Sequence, residues 1–143
     1  MNVQDAVTIS APVPRVWDVY ADVERWPEWT PSVTSVELLD GGLVIGARAR
    51  IKQPRFPRLV WTVTALDAGT SWTWVTRSPG AVTTATHTVV PLDATTTRVE
   101  QTIEQAGPLG ALVGRLTRRL TRRYLAMEAA GLKQRAEAGV TTG

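Results

Sequence analysis

The sequence predicts an α+β domain in which a curved, seven-stranded antiparallel sheet wraps around a long C-terminal helix, with two short helices after the first strand. Three observations predict it. From Val33 to Glu104 apolar residues recur with a period of two, interrupted by turn signals at Asp40-Gly41-Gly42, Pro54 to Pro57, Asp67 to Thr70, Ser78-Pro79-Gly80 and Asp93 to Thr95. One more alternating run, Val3 to Ile9, precedes this stretch. After Gly107-Pro108 the spacing changes to three and four residues.

In the first run Val3, Asp5, Val7 and Ile9 share one side of a half-buried strand. Pro14 suits the first turn of a helix, where a missing N–H leaves no bond unmade, and Val16, Trp17 and Tyr20 then recur at helical spacing. This places a helix at about Pro14 to Ala21. Asp22 can cap a second short helix that stops by Trp26, because Pro27 disfavours the helical conformation in the residue before it. Trp26-Pro27-Glu28-Trp29-Thr30-Pro31 reads as a turn carrying two indoles. Six strands follow, at about Val33 to Leu39, Ala47 to Gln53, Leu59 to Leu66, Ser71 to Arg77, Ala81 to Val90 and Thr97 to Glu104. Short turns between consecutive strands make an antiparallel meander with one wet and one packed face, as Ala49 and Ile51 alternate with Arg48, Arg50 and Lys52. The last helix runs from about Leu109 to Glu137. Its Leu109, Leu112, Val113, Leu116, Leu120, Tyr124 and Met127 form an apolar stripe expected to dock on the sheet. Residues 1–138 form the expected single domain, and 139–143 are expected to fray.

The length of 143 residues fits one ordinary domain, and 43% hydrophobic with 20% charged residues excludes a disordered chain. Cys 0 removes disulfides, thiolate nucleophiles and Cys-based metal sites, and His 1 leaves too few imidazoles for a His-rich centre. Neither a metal nor a cofactor is expected. Gly107, Gly110 and Gly114 match no phosphate-binding or dinucleotide fingerprint, and there is no Gly-x-Ser-x-Gly elbow. Nothing near Met1 resembles a signal peptide and no apolar run spans a bilayer, so a soluble, cytoplasmic protein is expected. Arg115, Arg118, Arg119, Arg122 and Arg123 occupy one acid-free window, and the rest of the chain is slightly acidic despite the net charge of +3. There are six Trp against two Tyr and one Phe, so bulky aromatic surface is concentrated in the indoles.

Ile9-Ser10-Ala11-Pro12 running into Val16-Trp17-Asp18, then Asp22-Val23-Glu24-Arg25-Trp26-Pro27-Glu28-Trp29, resembles the START-like (SRPBCC) superfamily, in particular its bacterial polyketide cyclase/dehydrase and lipid-transport branch. Thr97-Arg98-Val99 and Gly107-Pro108-Leu109-Gly110 agree, so the resemblance covers nearly the whole chain. It implies a helix-grip fold with a deep cavity between sheet and long helix, holding an apolar or aromatic small molecule.

Strand periodicity groups Trp61 with Val63, Trp72 with Trp74 and Thr76, Ala85 with His87 and Val89, and Val99 with Gln101 and Ile103. If the apolar members point inward, so do His87 and Gln101, while the helix adds Leu116, Leu120, Tyr124 and Met127. The result is an apolar pocket with a few polar handles, suited to a flat hydrophobic ligand. Each residue also has a plainer reading. The indoles Trp61, Trp72 and Trp74 either line a cavity or fill the core, and Trp26 and Trp29 are expected to pack over the sheet. His87 either acts as general acid/base or is a core histidine bonded to a neighbour; Gln101 either orients a ligand carbonyl or is a satisfied buried amide. Arg123 borders the stripe near Tyr124 and Met127 and either reaches the cavity mouth or stays on a solvated face.

Three functions are compatible with these residues. A carrier or sensor of a hydrophobic metabolite is favoured, because the sequence offers a lone His and no evident inward acid. An aromatic polyketide cyclase/dehydratase acting on a poly-β-ketone would need a proton-transfer group, and His87, Tyr124 and Arg123 are the candidates. A third reading has the arginine-rich helix meeting an acidic membrane surface or nucleic acid. Against it, the helix lacks interleaved aromatics and its apolar stripe is expected to be covered by the sheet. Either a monomer or a homodimer is compatible with the chain.

Overall fold

The alternating runs pair into one antiparallel sheet in the computed structural model, which describes residues 2–138; the tail expected to fray lies outside the described residues. The strands are β1 (Asn2–Ile9), β2 (Ser35–Leu38), β3 (Arg48–Lys52), β4 (Leu59–Asp67), β5 (Ser71–Ser78), β6 (Ala81–Pro91) and β7 (Thr97–Ala106). From β2 to β7 each strand lies beside its successor, and β1 closes the order by pairing with β7, Asn2 opposite Glu104 and Ile9 opposite Thr97. The register of β4 on β5 shifts between Val63 and Ala65, a bulge that bends the sheet.

Helix α1 (Val13–Ala21) begins after an extended Pro12 and buries Val16 and Tyr20 against the sheet. The next element is a 3₁₀ helix, Val23–Glu28, which includes Pro27 and so runs past the expected stop at Trp26. Pro27 is the fifth of the six residues and forgoes one i→i−3 bond, a loss the short 3₁₀ turn tolerates. Trp29 N and Thr30 N both donate to the Trp26 carbonyl at 3.0 Å. Trp26 Nε1 donates to the Tyr20 carbonyl at 2.8 Å, which turns the indole inward.

Gly80 and Gly107 join the sheet to the last helix. Both have positive φ, 76° and 95°, and a Cβ on Gly107 would come within 2.8 Å of the Gly80 carbonyl oxygen. Leu109 N donates to that same oxygen at 2.7 Å. Helix α2 (Gly110–Ala138) then crosses the sheet, packing chiefly on β1, β7 and α1.

The face that α2 buries differs from the expected stripe. Leu109, Leu112 and Leu116 are 47%, 51% and 75% exposed, and Leu120 and Met127 are only half-buried. The buried residues are instead Gly110, Gly114, Tyr124, Leu125, Glu128, Ala129, Leu132 and Ala136. The inward row joins Leu125, Glu128 and Leu132 with the small Ala129 and Ala136, which let the last turns of the helix lie close over the core. Gly131 is the extreme case: a Cβ added there would fall inside contact distance of the Trp29 carbonyl oxygen. Gly→Ala in a helix interior ordinarily stabilises by about 1 kcal/mol. Gly131→Ala should instead destabilise the protein by about 2–3 kcal/mol, since backbone must move to admit the methyl. Urea unfolding measures this, and an unchanged or raised midpoint would show that α2 does not approach Trp29 this closely.

Candidate functional site

The indoles above the sheet meet in one aromatic cluster. Trp72 stacks on His87 at 4.2 Å between centroids and 13° between planes, and Tyr20 stacks on Trp26 at 5.7 Å and 11°. Trp74 meets His87 edge-on at 5.3 Å. Alternation on β5 and β6 produces this: Trp72 lies opposite His87 and Trp74 opposite Ala85, so the small Ala85 leaves open space beside Trp74.

That space is a cavity of about 240 Å³ between the sheet and the half of α2 from Val113 to Glu128. Trp26, Trp61, Trp74, Ile51, Leu59 and Ile103 give it apolar walls, and His87, Gln101, Thr76 and Glu128 contribute polar groups. On the helix side the wall is Val113, Thr117, Thr121, Tyr124 and Leu125. The β3–β4 loop closes one end with Gln53, Phe56 and Pro57. Tyr124 holds this loop, its hydroxyl donating to the Pro54 carbonyl and its ring meeting Phe56 edge-on at 6.0 Å. Lys52 Nζ ties the loop from beneath, donating to the carbonyls of Gln53, at 2.8 Å, and Phe56.

The polar groups are linked and largely deprived of water. Tyr20 Oη donates to Gln101 Oε1 at 3.0 Å, and Gln101 Nε2 donates to the Leu125 carbonyl at 3.3 Å, so β7 is bridged to both helices. Burial pushes the Tyr20 phenol well above its ordinary range, with the acidic groups of Glu128 and Asp5 adding to the effect. Burial takes His87 down to about 3. Its Nδ1 lies 3.3 Å from the Trp72 carbonyl, which can only accept, so Nδ1 carries the proton and Nε2 is left as an acceptor. The imidazole is therefore neutral through the physiological range. Glu128 goes the other way, raised by burial to about 8; the Ser32 hydroxyl opposes the shift and the Asp5 charge adds to it. At pH 7 Glu128 is a protonated, hydrogen-bond-donating carboxyl.

Of the residues singled out from sequence, Trp61, Trp74, His87, Gln101 and Tyr124 line the cavity. Val63, Trp72 and Val89 are buried behind it as core. Leu116, Leu120 and Met127 are not in its wall, because α2 is rotated from the face their spacing suggested. Arg123 is exposed and also outside the wall; it sits one residue, roughly 100° of helix, from Tyr124. The expectation of no inward acid is overturned by Glu128. Its signal was present in the sequence, since Leu125, Glu128, Leu132 and Ala136 recur at three and four residues as a second row that the longer leucine row obscured. Tyr20, Thr117 and Thr121 were also missed.

Among the described residues, no three His, Cys, Asp or Glu side chains form a metal-binding group, and no helix is long and apolar enough to cross a membrane. The fold matches several solved structures. An aromatase/cyclase from Streptomyces sp. R1128 superposes with a TM-score of 0.81 at 20% identity, over 99% of this chain and 96% of that one. A norcoclaurine synthase point mutant from Thalictrum flavum, solved with a transition-state analogue, gives 0.77 at 15% identity over 99% and 96%. A START superfamily protein from Mycobacterium smegmatis gives 0.70 at 18% over 94% and 97%. In sequence, the chain is 31% identical over 74 residues to a Streptomyces halstedii protein named as a candidate polyketide cyclase; the match spans 52% of this chain and 58% of that relative. Residues 1–137 match the family model described as polyketide cyclase / dehydrase and lipid transport, and the chain belongs to that family.

Proposed function

We propose that the cavity binds a flat, largely apolar, uncharged small molecule bearing carbonyl or hydroxyl oxygens, of the aromatic or polyketide-like class. The observation that carries this reading is an indole wall combined with polar groups that are neutral at pH 7: Trp26, Trp61 and Trp74 beside protonated Glu128, neutral His87 and the amide of Gln101. A ligand charge would be desolvated here with no counter-charge, whereas a ring carbonyl can accept from Glu128 and a hydroxyl can donate to His87 Nε2. Carrying or sensing such a molecule requires nothing further. Flat aromatic probes should quench tryptophan emission saturably, and Thr117→Trp, which fills the cavity from α2, should abolish that quenching. Folded protein that binds no probe at micromolar levels would leave the indoles as core filling alone.

A second reading is favoured by Glu128 in particular. Cyclisation and dehydration of a poly-β-ketone need an acid that survives at neutral pH, and this carboxyl is one. In dehydration Glu128 protonates the departing β-hydroxyl as its C–O bond breaks. The carboxylate left behind takes the α-proton as the C–C double bond forms, which restores the acid. Glu128→Gln should then lower turnover by roughly 10² or more with little change in ligand affinity, and wild-type turnover should fall above pH 8. Equal turnover in Glu128→Gln would remove Glu128 from the chemistry and leave the binding reading intact.

The same two groups set a pH dependence of stability. Glu128 binds its proton more tightly folded, about 8 against 4.5, so its contribution is fully present below pH 4.5 and is lost as pH rises toward 8. His87 binds its proton less tightly folded, about 3 against 6.5, so stability rises with pH from 3 to 6.5 and is then level. The slopes offset between pH 4.5 and 6.5. Between 6.5 and 8 only Glu128 acts, and stability should fall by up to about 2 kcal/mol. Urea titrations across that window should show the fall in wild type and a flat line in Glu128→Gln; equal slopes would mean that Glu128 is already ionised at pH 6.5.

A further inference from the structure

The leucines that α2 does not bury stand beside its arginines. Leu109, Leu112 and Leu116, three and four residues apart, are 47%, 51% and 75% exposed on the outer side of the first two turns. Arg115, Arg119, Arg122 and Arg123 are exposed on the same half of the helix, with Arg118 half-buried. No acidic residue occurs between Leu109 and Met127, and the next acid, Glu128, is buried. Arg25, Arg48, Arg50, Arg98, Lys133 and Arg135 have carboxylate partners; among the described residues the five helix arginines have none, as is also true of the scattered Arg15, Lys52, Arg55, Arg58 and Arg77. Positive charge and apolar surface are thus both left unmatched on one convex strip.

We propose that this outer face of α2 docks on an anionic lipid surface, Leu109, Leu112 and Leu116 entering the headgroup–acyl boundary and the arginines meeting lipid phosphates. The chemistry selects this occupant. A second copy of the same face would oppose five arginines to five, which is repulsive. Nucleic acid would satisfy the arginines but leave the leucine row against a phosphate backbone, where burial gains nothing. A bilayer interface takes both, since it offers phosphate at the level of the guanidinium groups and hydrocarbon just below, with no need for a shaped partner. Val113, Thr117 and Thr121, in the cavity wall, alternate along the same turns with the exposed leucines. Docking would therefore bring the cavity alongside the membrane, where an apolar ligand can pass between them. The inference rests on the outer helix face and holds whether or not the cavity performs chemistry.

Flotation of the full chain with vesicles tests it. Binding is expected to vesicles of phosphatidylcholine containing about one-third phosphatidylglycerol at low salt, little to phosphatidylcholine alone, and a marked loss at roughly 0.5 M salt. Arg115→Gln/Arg119→Gln/Arg122→Gln should lower the partition coefficient roughly a hundredfold, and Leu112→Ser/Leu116→Ser roughly tenfold or more. All five positions are exposed, so circular dichroism and cavity probe binding should be unchanged in both variants. No vesicle binding by wild type would overturn the proposal, as would equal binding to both vesicle types. Loss with the arginine variant but not the leucine variant would also overturn it, by showing adsorption of charge with no insertion. Tighter, salt-sensitive binding to duplex DNA than to anionic vesicles would assign the face to nucleic acid instead.

Discussion

Competition for volume between the indoles and α2 organises this molecule. Tyr20, Trp26, Trp72 and Trp74 converge with His87 above the centre of the sheet, and the buried face of α2 fits over them with Leu125, Ala129, Leu132 and Ala136. Where the approach is closest, near Gly131 and Trp29, the interior is full. Toward the other end of the helix the small Ala85 and Thr76 stand beside Trp61 and Trp74, and α2 presents Val113, Thr117 and Thr121, so the layers separate and the cavity opens. One packing constraint therefore sets both the tight end of the helix and the hollow end.

Desolvation in the cavity acts on groups of opposite type with the same outcome. A buried imidazole loses its proton and a buried carboxyl keeps one, so each becomes neutral. The interior then holds donors and acceptors without holding charge. Fixed hydrogen bonds through Tyr20, Gln101 and the Leu125 carbonyl keep these groups in register with the sheet.

The fold was legible in the sequence because its signals are local. Period-two alternation placed every strand within a few residues, and Pro14 and Gly107-Pro108 marked both helix starts. The inward strand residues Trp61, Trp74, His87 and Gln101 could be read for the same reason: one face of a strand fixes the other. The helix was harder, since its sequence carries two competing rows at helical spacing. The row richer in leucine is the one left largely outside, because tertiary packing rather than spacing selects between them. Glu128 stayed hidden likewise: a charged residue in an arginine-rich helix reads as surface until the packing rotates it inward. The charge states of Glu128 and His87 depend on burial, which no spacing encodes.

The pairing of β1 with β7 has a consequence for how the chain folds. Asn2 lies opposite Glu104, and β1 also supports α2, so the earliest strand acquires its partners only when the latest strand and the helix are in place. Every other strand pairing joins sequence neighbours across a connection of nine residues or fewer. The β2–β7 meander can therefore form from contacts of low sequence separation, while closure by β1 requires a long chain loop to be drawn together. Until that closure, one edge of β7 is unpaired and the inner face of the sheet is open to solvent, the kind of exposure from which misassociation starts.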